Sequence, residues 1–185
     1  MAVTRLTTNG LTGTKYDIAS ADNYYMEPIA TTLIGAGGVT TITFNNIPQG
    51  YKHLQIRAIA KASGTNFNPK MQFNGDTNTN YSWHYIYGSG SSVPAGSGVN
   101  QAFLYSSVIS TDAGMYNGFI IDILDYNNTN KFKTTRELSG VDKNGGGEIT
   151  FFSGNWRSTA PITSITFSNG TFDQHTRFSL YGIKG

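Results

Sequence analysis

From Val39 onward apolar residues recur at every second position, and no other property of this chain constrains its fold as tightly. Ile42 and Phe44, then Leu54, Ile56 and Ala58, then Phe119, Ile121 and Ile123, then Ile165 and Phe167, and finally Phe178 and Leu180 each fall on one face of an extended segment. Successive side chains of a strand point to opposite faces, so this period fits a half-buried β-strand and excludes an amphipathic helix. Further strand candidates lie at 70–73, 81–87, 102–109, 131–138 and 148–153. Between them stand turns rich in Gly and Asn, such as Asn74-Gly75-Asp76, Asn127-Asn128 and Asn144-Gly145-Gly146-Gly147. About ten short strands divided by such turns predict a two-sheet antiparallel β-sandwich or jelly roll.

Composition supports the same fold class. Gly, Asn, Ser and Thr fill 78 of the 185 positions, while charged residues make up 13%, roughly half the usual share. Gly, Asn and Thr are poor helix formers, whereas Thr, Tyr and Phe suit a pleated surface. Aromatics also reach 13%, too many for a disordered chain. There is no Cys, which excludes disulfides, thiolate nucleophiles and zinc-thiolate sites. A net charge of +2 with scattered Lys and Arg gives nucleic acid no basic stripe to bind. No run approaches the roughly 20 apolar residues of a membrane span, and residues 1–11 do not resemble a signal peptide. The expectation is a soluble protein made in a cytoplasm.

Residues 1–38 differ from the rest. They carry no sustained period and end in Gly35-Ala36-Gly37-Gly38, a flexible joint. Between Asp17 and Ala30 one helical turn is expected, capped by Ser20 or Asp22 and limited by Pro28. The division is therefore an N-terminal arm over 1–38 and a sandwich domain over 39–185. The arm either packs on its own domain or grips a neighbouring subunit.

One internal echo stands out. Val39-Thr-Thr-Ile-Thr-Phe44 is answered by Ile162-Thr-Ser-Ile-Thr-Phe167, and each is followed by a second strand, His53-Leu54-Gln55-Ile56 and Arg177-Phe178-Ser179-Leu180. The echo predicts two terminal hairpins that lie together or in equivalent places in the two sheets.

Catalytic motifs are missing: there is no HExxH, GxSxG or Walker loop. The histidines, His53, His84 and His175, lack metal-ligand spacing. Asp122 and Asp125 flank a strand end, where paired carboxylates usually solvate a turn. Two turns supply hard oxygen ligands, Asp142 to Glu148 and Asp76-Thr-Asn78-Thr-Asn80, but neither completes a calcium loop and ordinary β-turns use the same residues. No catalytic residue, cofactor or metal site is assigned.

The sharpest local feature is Tyr81-Ser-Trp83-His-Tyr85-Ile-Tyr87. Alternation puts Tyr81, Trp83, Tyr85 and Tyr87 on one face, and the Ser/Gly-rich stretch 88–100 follows as a long loop. Two readings of that face are open. It is core or subunit interface, or it is a platform on which sugar rings stack. Phe151-Phe152 with Trp156 forms a second aromatic patch under the same two readings.

The chain also resembles a known group. Ile47-Pro48-Gln49-Gly50-Tyr51-Lys52-His53-Leu54-Gln55-Ile56-Arg57, Phe73-Asn74-Gly75-Asp76 with Tyr81-Ser82-Trp83-His84-Tyr85, and Phe178-Ser179-Leu180-Tyr181-Gly182-Ile183-Lys184-Gly185 are similar to small structural proteins of tailed bacteriophages, marine phages in particular. Tyr24-Tyr25-Met26-Glu27-Pro28-Ile29-Ala30 resembles them too. The resemblance implies a virion component without enzyme activity, partnered by major capsid or tail proteins. The first expectation is a capsid decoration or cement protein anchored by its arm, with Tyr24, Tyr25, Met26 and Pro28 as gripping residues. Such an arm can add a strand to a neighbour's sheet, and closed rotational symmetry makes a homo-oligomer, with a trimer first, the expected assembly. The alternative is a tail-fibre or receptor-binding module that binds host-surface glycan through Tyr81, Trp83, Tyr85 and Tyr87.

Overall fold

The computed structural model describes residues 25–185, and every element in that range is a strand. In chain order they are β1 (Met26–Leu33), β2 (Ile42–Phe44), β3 (His53–Ala60), β4 (Ala62–Ser63), β5 (Lys70–Phe73), β6 (Tyr81–Gly88) and β7 (Ala95–Gln101), then β8 (Leu104–Tyr105), β9 (Asn117–Leu124), β10 (Lys133–Asp142), β11 (Gly147–Trp156), β12 (Ile165–Ser168), β13 (Thr171–Phe172) and β14 (Arg177–Ile183). A large antiparallel sheet runs β1-β14-β3-β9-β10-β11-β6-β7, a small one runs β2-β12-β5-β8, and β13 pairs with β4. The protein is an all-β sandwich.

Each expected strand is present, with one shortened. The stretch 102–109 contributes only Leu104–Tyr105: the Ser106 amide still bonds the Pro69 carbonyl at 3.0 Å, but Ser107 N leaves the ladder and donates to the Glu137 carboxylate at 2.9 Å. Two longer strands, β1 and β7, were not expected. In β1 both faces are partly exposed, so an edge strand leaves no apolar period in its sequence.

The arm residues divide at the start of the described range. Tyr24 and the proposed caps Ser20 and Asp22 lie outside it. Met26 and Pro28 belong to β1, so residues 26–30 form strand where part of a helical turn was expected. Met26 pairs with Ile183 and Pro28 with Tyr181 in the chain's own sheet. A proline is tolerated there because an edge strand has amides that need no partner. The joint at 35–38 is a tight turn. Gly37 and Gly38 take φ of 91° and 70°, and Val39 exchanges two backbone hydrogen bonds with Phe172, at 3.0 and 2.8 Å.

Between the sheets lies one apolar core. Leu54, Ile56, Phe119, Ile121, Ile123, Phe178 and Leu180 of the large sheet meet Ile42, Phe44, Met71, Phe73, Ile165 and Phe167 of the small one. Phe167 and Phe178 pack across the gap at 4.9 Å between centroids, their planes tilted by 49°. Phe73 packs on Trp156 and Tyr81.

The sequence echo is spatial, although neither copy is a hairpin. Each first strand lies in the small sheet and each second strand in the large one, so both copies are arches over the core. The two arches touch through both sheets. In the small sheet Phe44 pairs with Ile165, Thr43 with Thr166 and Ile42 with Phe167, a register symmetric about the Thr43–Thr166 pair, whose hydroxyls are 3.3 Å apart. In the large sheet the symmetry point is Ile56 opposite Leu180, with Gln55 opposite Tyr181 and Arg57 opposite Ser179. A local two-fold relation therefore joins the two ends of the sandwich.

The resemblance motifs at 47–57 and 178–185, with 26–30 of β1, gather around this seam, whereas 81–85 lies on β6 at the far side of the large sheet. The Tyr51 ring covers Gly182, where a methyl would sit 2.3 to 2.5 Å from three ring atoms. Tyr51 Oη donates to Glu27 at 2.8 Å, and Glu27 pairs with Lys184 at 2.6 Å. Asn74 and Asp76 are hubs as well. The Asn74 carbonyl oxygen accepts from the amides of Thr163 and Ser164.

Candidate functional site

The small sheet is only four short strands wide, so it does not cover the whole inner face of the large one. Beyond β8 the inner faces of β6 and β11 open into a cleft of about 330 Å³, lined by Trp83, Tyr85, Tyr87, Tyr105 and Phe152 together with Asn68, Ser107, Val108, Glu148 and Thr150. Three of the four expected aromatics meet there. Tyr81 does not. It is fully buried, bonded through Oη to Phe73 N at 3.1 Å, and burial pushes its phenol up to about 12. The face is thus core at one end and cleft wall at the other. The second patch also splits: Phe152 lines the cleft, Trp156 is core, and Phe151 points to the opposite side of the sheet at 53% exposure.

Strand β7 explains how the rings are held. It reads Ala95-Gly-Ser-Gly-Val-Asn-Gln101, which sequence reasoning takes for a loop. Its glycines face inward beside the aromatic strand, with Gly96 opposite Tyr85 and Gly98 opposite Trp83. A methyl at Gly96 would sit 2.7, 2.8 and 2.8 Å from Oη, Cε1 and Cζ of Tyr85. Near-equal distances to three adjacent atoms place it over the ring's face rather than at its edge. At Gly98 the same construction gives 2.5 Å to Cε2 and Cζ2 and 2.9 Å to Nε1 of Trp83. Both rings lie over glycine backbone, and both line the cleft, with Phe152 packed against Tyr85 at 5.3 Å between centroids. Tyr87 continues the row, its centroid 6.1 Å from Tyr85 with planes 28° apart. Tyr105 and Phe152 stand across Trp83 at 60° and 63° as walls. The signal that could have revealed this was Gly-x-Gly beside Trp-x-Tyr, the pattern of large rings covering glycines on a neighbouring strand.

Trp83 Nε1 is buried with no hydrogen-bond partner among the described residues. An unpaired buried donor costs about 1–3 kcal/mol.

Beneath the cleft lies a polar interior. Strand β10 turns Lys133, Thr135, Glu137 and Ser139 inward, all buried. Glu137 accepts from Ser106 Oγ at 2.5 Å, Ser107 N at 2.9 Å and Ser139 Oγ at 2.9 Å. Burial pushes its carboxyl above the ordinary range, against the lowering effect of those donors. Ser107 Oγ in turn donates to Glu148 Oε1 at 3.0 Å and lies 3.1 Å from Thr150 Oγ1. The Lys133 ammonium is satisfied by the carbonyls of Asn128, Lys131 and Thr159, and desolvation lowers its pKa.

The remaining candidates have structural partners. Asp76 Oδ1 accepts from Asn78 N and Nδ2, and Oδ2 accepts from Asn80 Nδ2 and Trp156 Nε1. Burial raises this carboxyl, but the donors together outweigh it and hold it below its ordinary 3.8. In the other oxygen-rich turn Asp142 accepts from Asn144 N at 2.7 Å. Asp122 faces outward and accepts from Gln55 at 2.8 Å. Asp125 pairs with Lys131 and Lys52, and its amide donates to His53 Nδ1 at 2.9 Å. Its carboxyl is lowered, first by Lys131. His84 faces outward, and His175 occupies a turn at φ 66°. Among the described residues no three His, Cys, Asp or Glu side chains converge as a metal site.

A second surface lies on the outer face of the large sheet. Ile120, Leu138, Phe151 and Ile86 are consecutive partners across β9, β10, β11 and β6, each 40–53% exposed. Arg57 precedes them in the same row, and Arg136 stands beside them. Among the described residues neither guanidinium has a carboxylate partner. Comparison with protein-family models, curated proteins and solved structures gives no match for the chain.

Proposed function

We propose that this protein is a non-enzymatic surface module of a bacteriophage virion whose aromatic cleft binds glycans of the host surface. The observation that carries this reading is the pair of rings laid on Gly96 and Gly98 that line a cleft also offering amide, hydroxyl and carboxylate groups. The apolar face of a pyranose packs on such a ring while its hydroxyls take the polar groups. The test is calorimetric titration of the intact protein with cello-, chito-, laminari- and galacto-oligosaccharides. At least one series should bind, and Tyr85→Ala should weaken it about tenfold while the protein stays folded by circular dichroism. Undiminished binding by folded Tyr85→Ala would remove the cleft from the argument.

The capsid decoration reading has one observation of its own, the apolar outer row rimmed by Arg57 and Arg136. A neighbouring virion protein with an apolar centre and acidic rim is the partner this face fits. Under this reading Leu138→Asp with Phe151→Asp abolishes attachment to particles, whereas deletion of residues 1–24 tests the arm separately. A longer deletion, into residues 26–30, would strip β1 from β14 and confuse anchoring with folding. The expected homo-oligomer, trimer first, is proposed on the symmetry of phage surfaces. Sedimentation of the intact protein as a monomer would exclude it.

A further inference from the structure

We infer that Glu148 is a specificity-determining residue that makes the cleft take neutral or amine-bearing sugars and reject acidic ones. The inference rests on the glycan reading above and names the chemistry of its ligand. Among the described residues Glu148 is the only carboxylate lining the cleft, and no Lys, Arg or His lines it. Its position is built rather than incidental. Oε1 is held by Ser107 Oγ at 3.0 Å, and Ser107 is itself fixed by its amide bond to buried Glu137 at 2.9 Å. The second oxygen, Oε2, accepts no hydrogen bond from any described residue. Nor is it among the buried polar atoms left unpartnered, so it keeps solvent access at the cleft wall.

An open carboxylate oxygen beside aromatic ring faces has a definite preference. It accepts from sugar hydroxyls as a charge-assisted bond or pairs with a sugar ammonium. A uronate carboxylate or sulfate placed on the same platform meets a like charge with no cation in the cleft to offset it. Rejection by an unpaired like charge is a standard route to specificity.

The experiment is calorimetry on the intact protein with three probes: chitotriose, its fully deacetylated amine form, and trigalacturonate. The neutral and amine probes should bind, and the uronate should bind at least about tenfold more weakly. Glu148→Gln keeps the shape and removes the charge. It should weaken the neutral and amine probes about threefold or more and strengthen the uronate, moving the two classes in opposite directions. Uronate binding as tight as that of the neutral probe in the unaltered protein overturns the inference. So does an unchanged ratio in folded Glu148→Gln, and if Tyr85→Ala still loses binding then the glycan reading survives. If none of these probes nor the wider oligosaccharide panel binds, the glycan reading falls and takes this inference with it.

Discussion

Strands β14, β3 and β9 send Leu180, Ile56 and Ile121 inward and Arg57 and Asp122 outward, whereas β10 sends Lys133, Glu137 and Ser139 inward and Leu138 outward. The sheet thus changes pattern at β10. Its first half is roofed by β2, β12 and β5 and is the dry half, apolar on its inner face apart from Asn117. The second half keeps Tyr81 and Trp156 in the core beside Phe73 and then extends past the small sheet. There Glu137 takes up Ser106 Oγ and Ser107 N, and aromatic rings on glycines line the cleft. One sheet therefore carries an apolar core at one end and a polar, aromatic-lined cleft at the other.

The comparison can be broken by mutation, beginning with the dry half. Phe167→Ala removes the ring packed against Phe178 and should cost about 3–5 kcal/mol in chemical denaturation. A small loss would mean that the dry half is not the source of stability. Next comes the support of the cleft. Gly98→Ala puts a methyl into the Trp83 indole, and overpacking of this kind costs about 1–3 kcal/mol. It should also abolish oligosaccharide binding in protein that remains folded, and retained binding would mean that the flat-lying indole is not required.

Acid and base separate two carboxyls of the fold, Asp76 on the turn before β6 and Glu137 on β10, which respond in opposite senses. The depressed carboxyl of Asp76 contributes stability that is present above its ordinary 3.8 and is lost as the pH falls through its folded value. Glu137 is raised by burial from an ordinary 4.5. Above that pH the folded state keeps a proton that the unfolded chain has released, so stability falls as the pH rises until the folded group ionises. Melting temperature measured across pH 3 to 8 should therefore pass through a maximum near the ordinary carboxyl range. Glu137→Gln should remove the fall on the alkaline side. A variant that melts lower than the unaltered protein at pH 8 would show that the buried acid is needed in its charged form.

The smallest effect belongs to the cleft edge. Tyr87→Ala, a half-buried ring at the end of the row, should cost less than about 1.5 kcal/mol of stability while weakening glycan binding. A loss as large as that of Phe167→Ala would place Tyr87 in the core and erase the distinction between the halves.

The sequence made the dry half legible because period 2 survives wherever one face is buried and the other is wet. Leu54-x-Ile56-x-Ala58 needs no structure to be read. The second half hid for two reasons. In β10 the apolar Leu138 is outside, so alternation points to the wrong face. In β7 the side chains that fill the inner face belong to Trp83 and Tyr85 on the adjacent strand, and a strand whose inner residues are glycines resembles a loop. The aromatic row itself was visible, but where it passes from core to cleft between Tyr81 and Tyr85 depends on how far the small sheet reaches. No local pattern encodes that.

The seam between the two arches has a consequence for synthesis. Strand β14 is inserted between β1 and β3, so the middle of one flank of the large sheet is supplied by residues 177–183, about 120 residues after the strand they pair with. Until they emerge from the ribosome, β3 has an open edge and β1 has nothing to pair with. Non-local pairing of this kind is slow to form, and the unpaired edges invite aggregation. A chain that lacks 177–183 therefore leaves β1 and β3 without the strand that joins them.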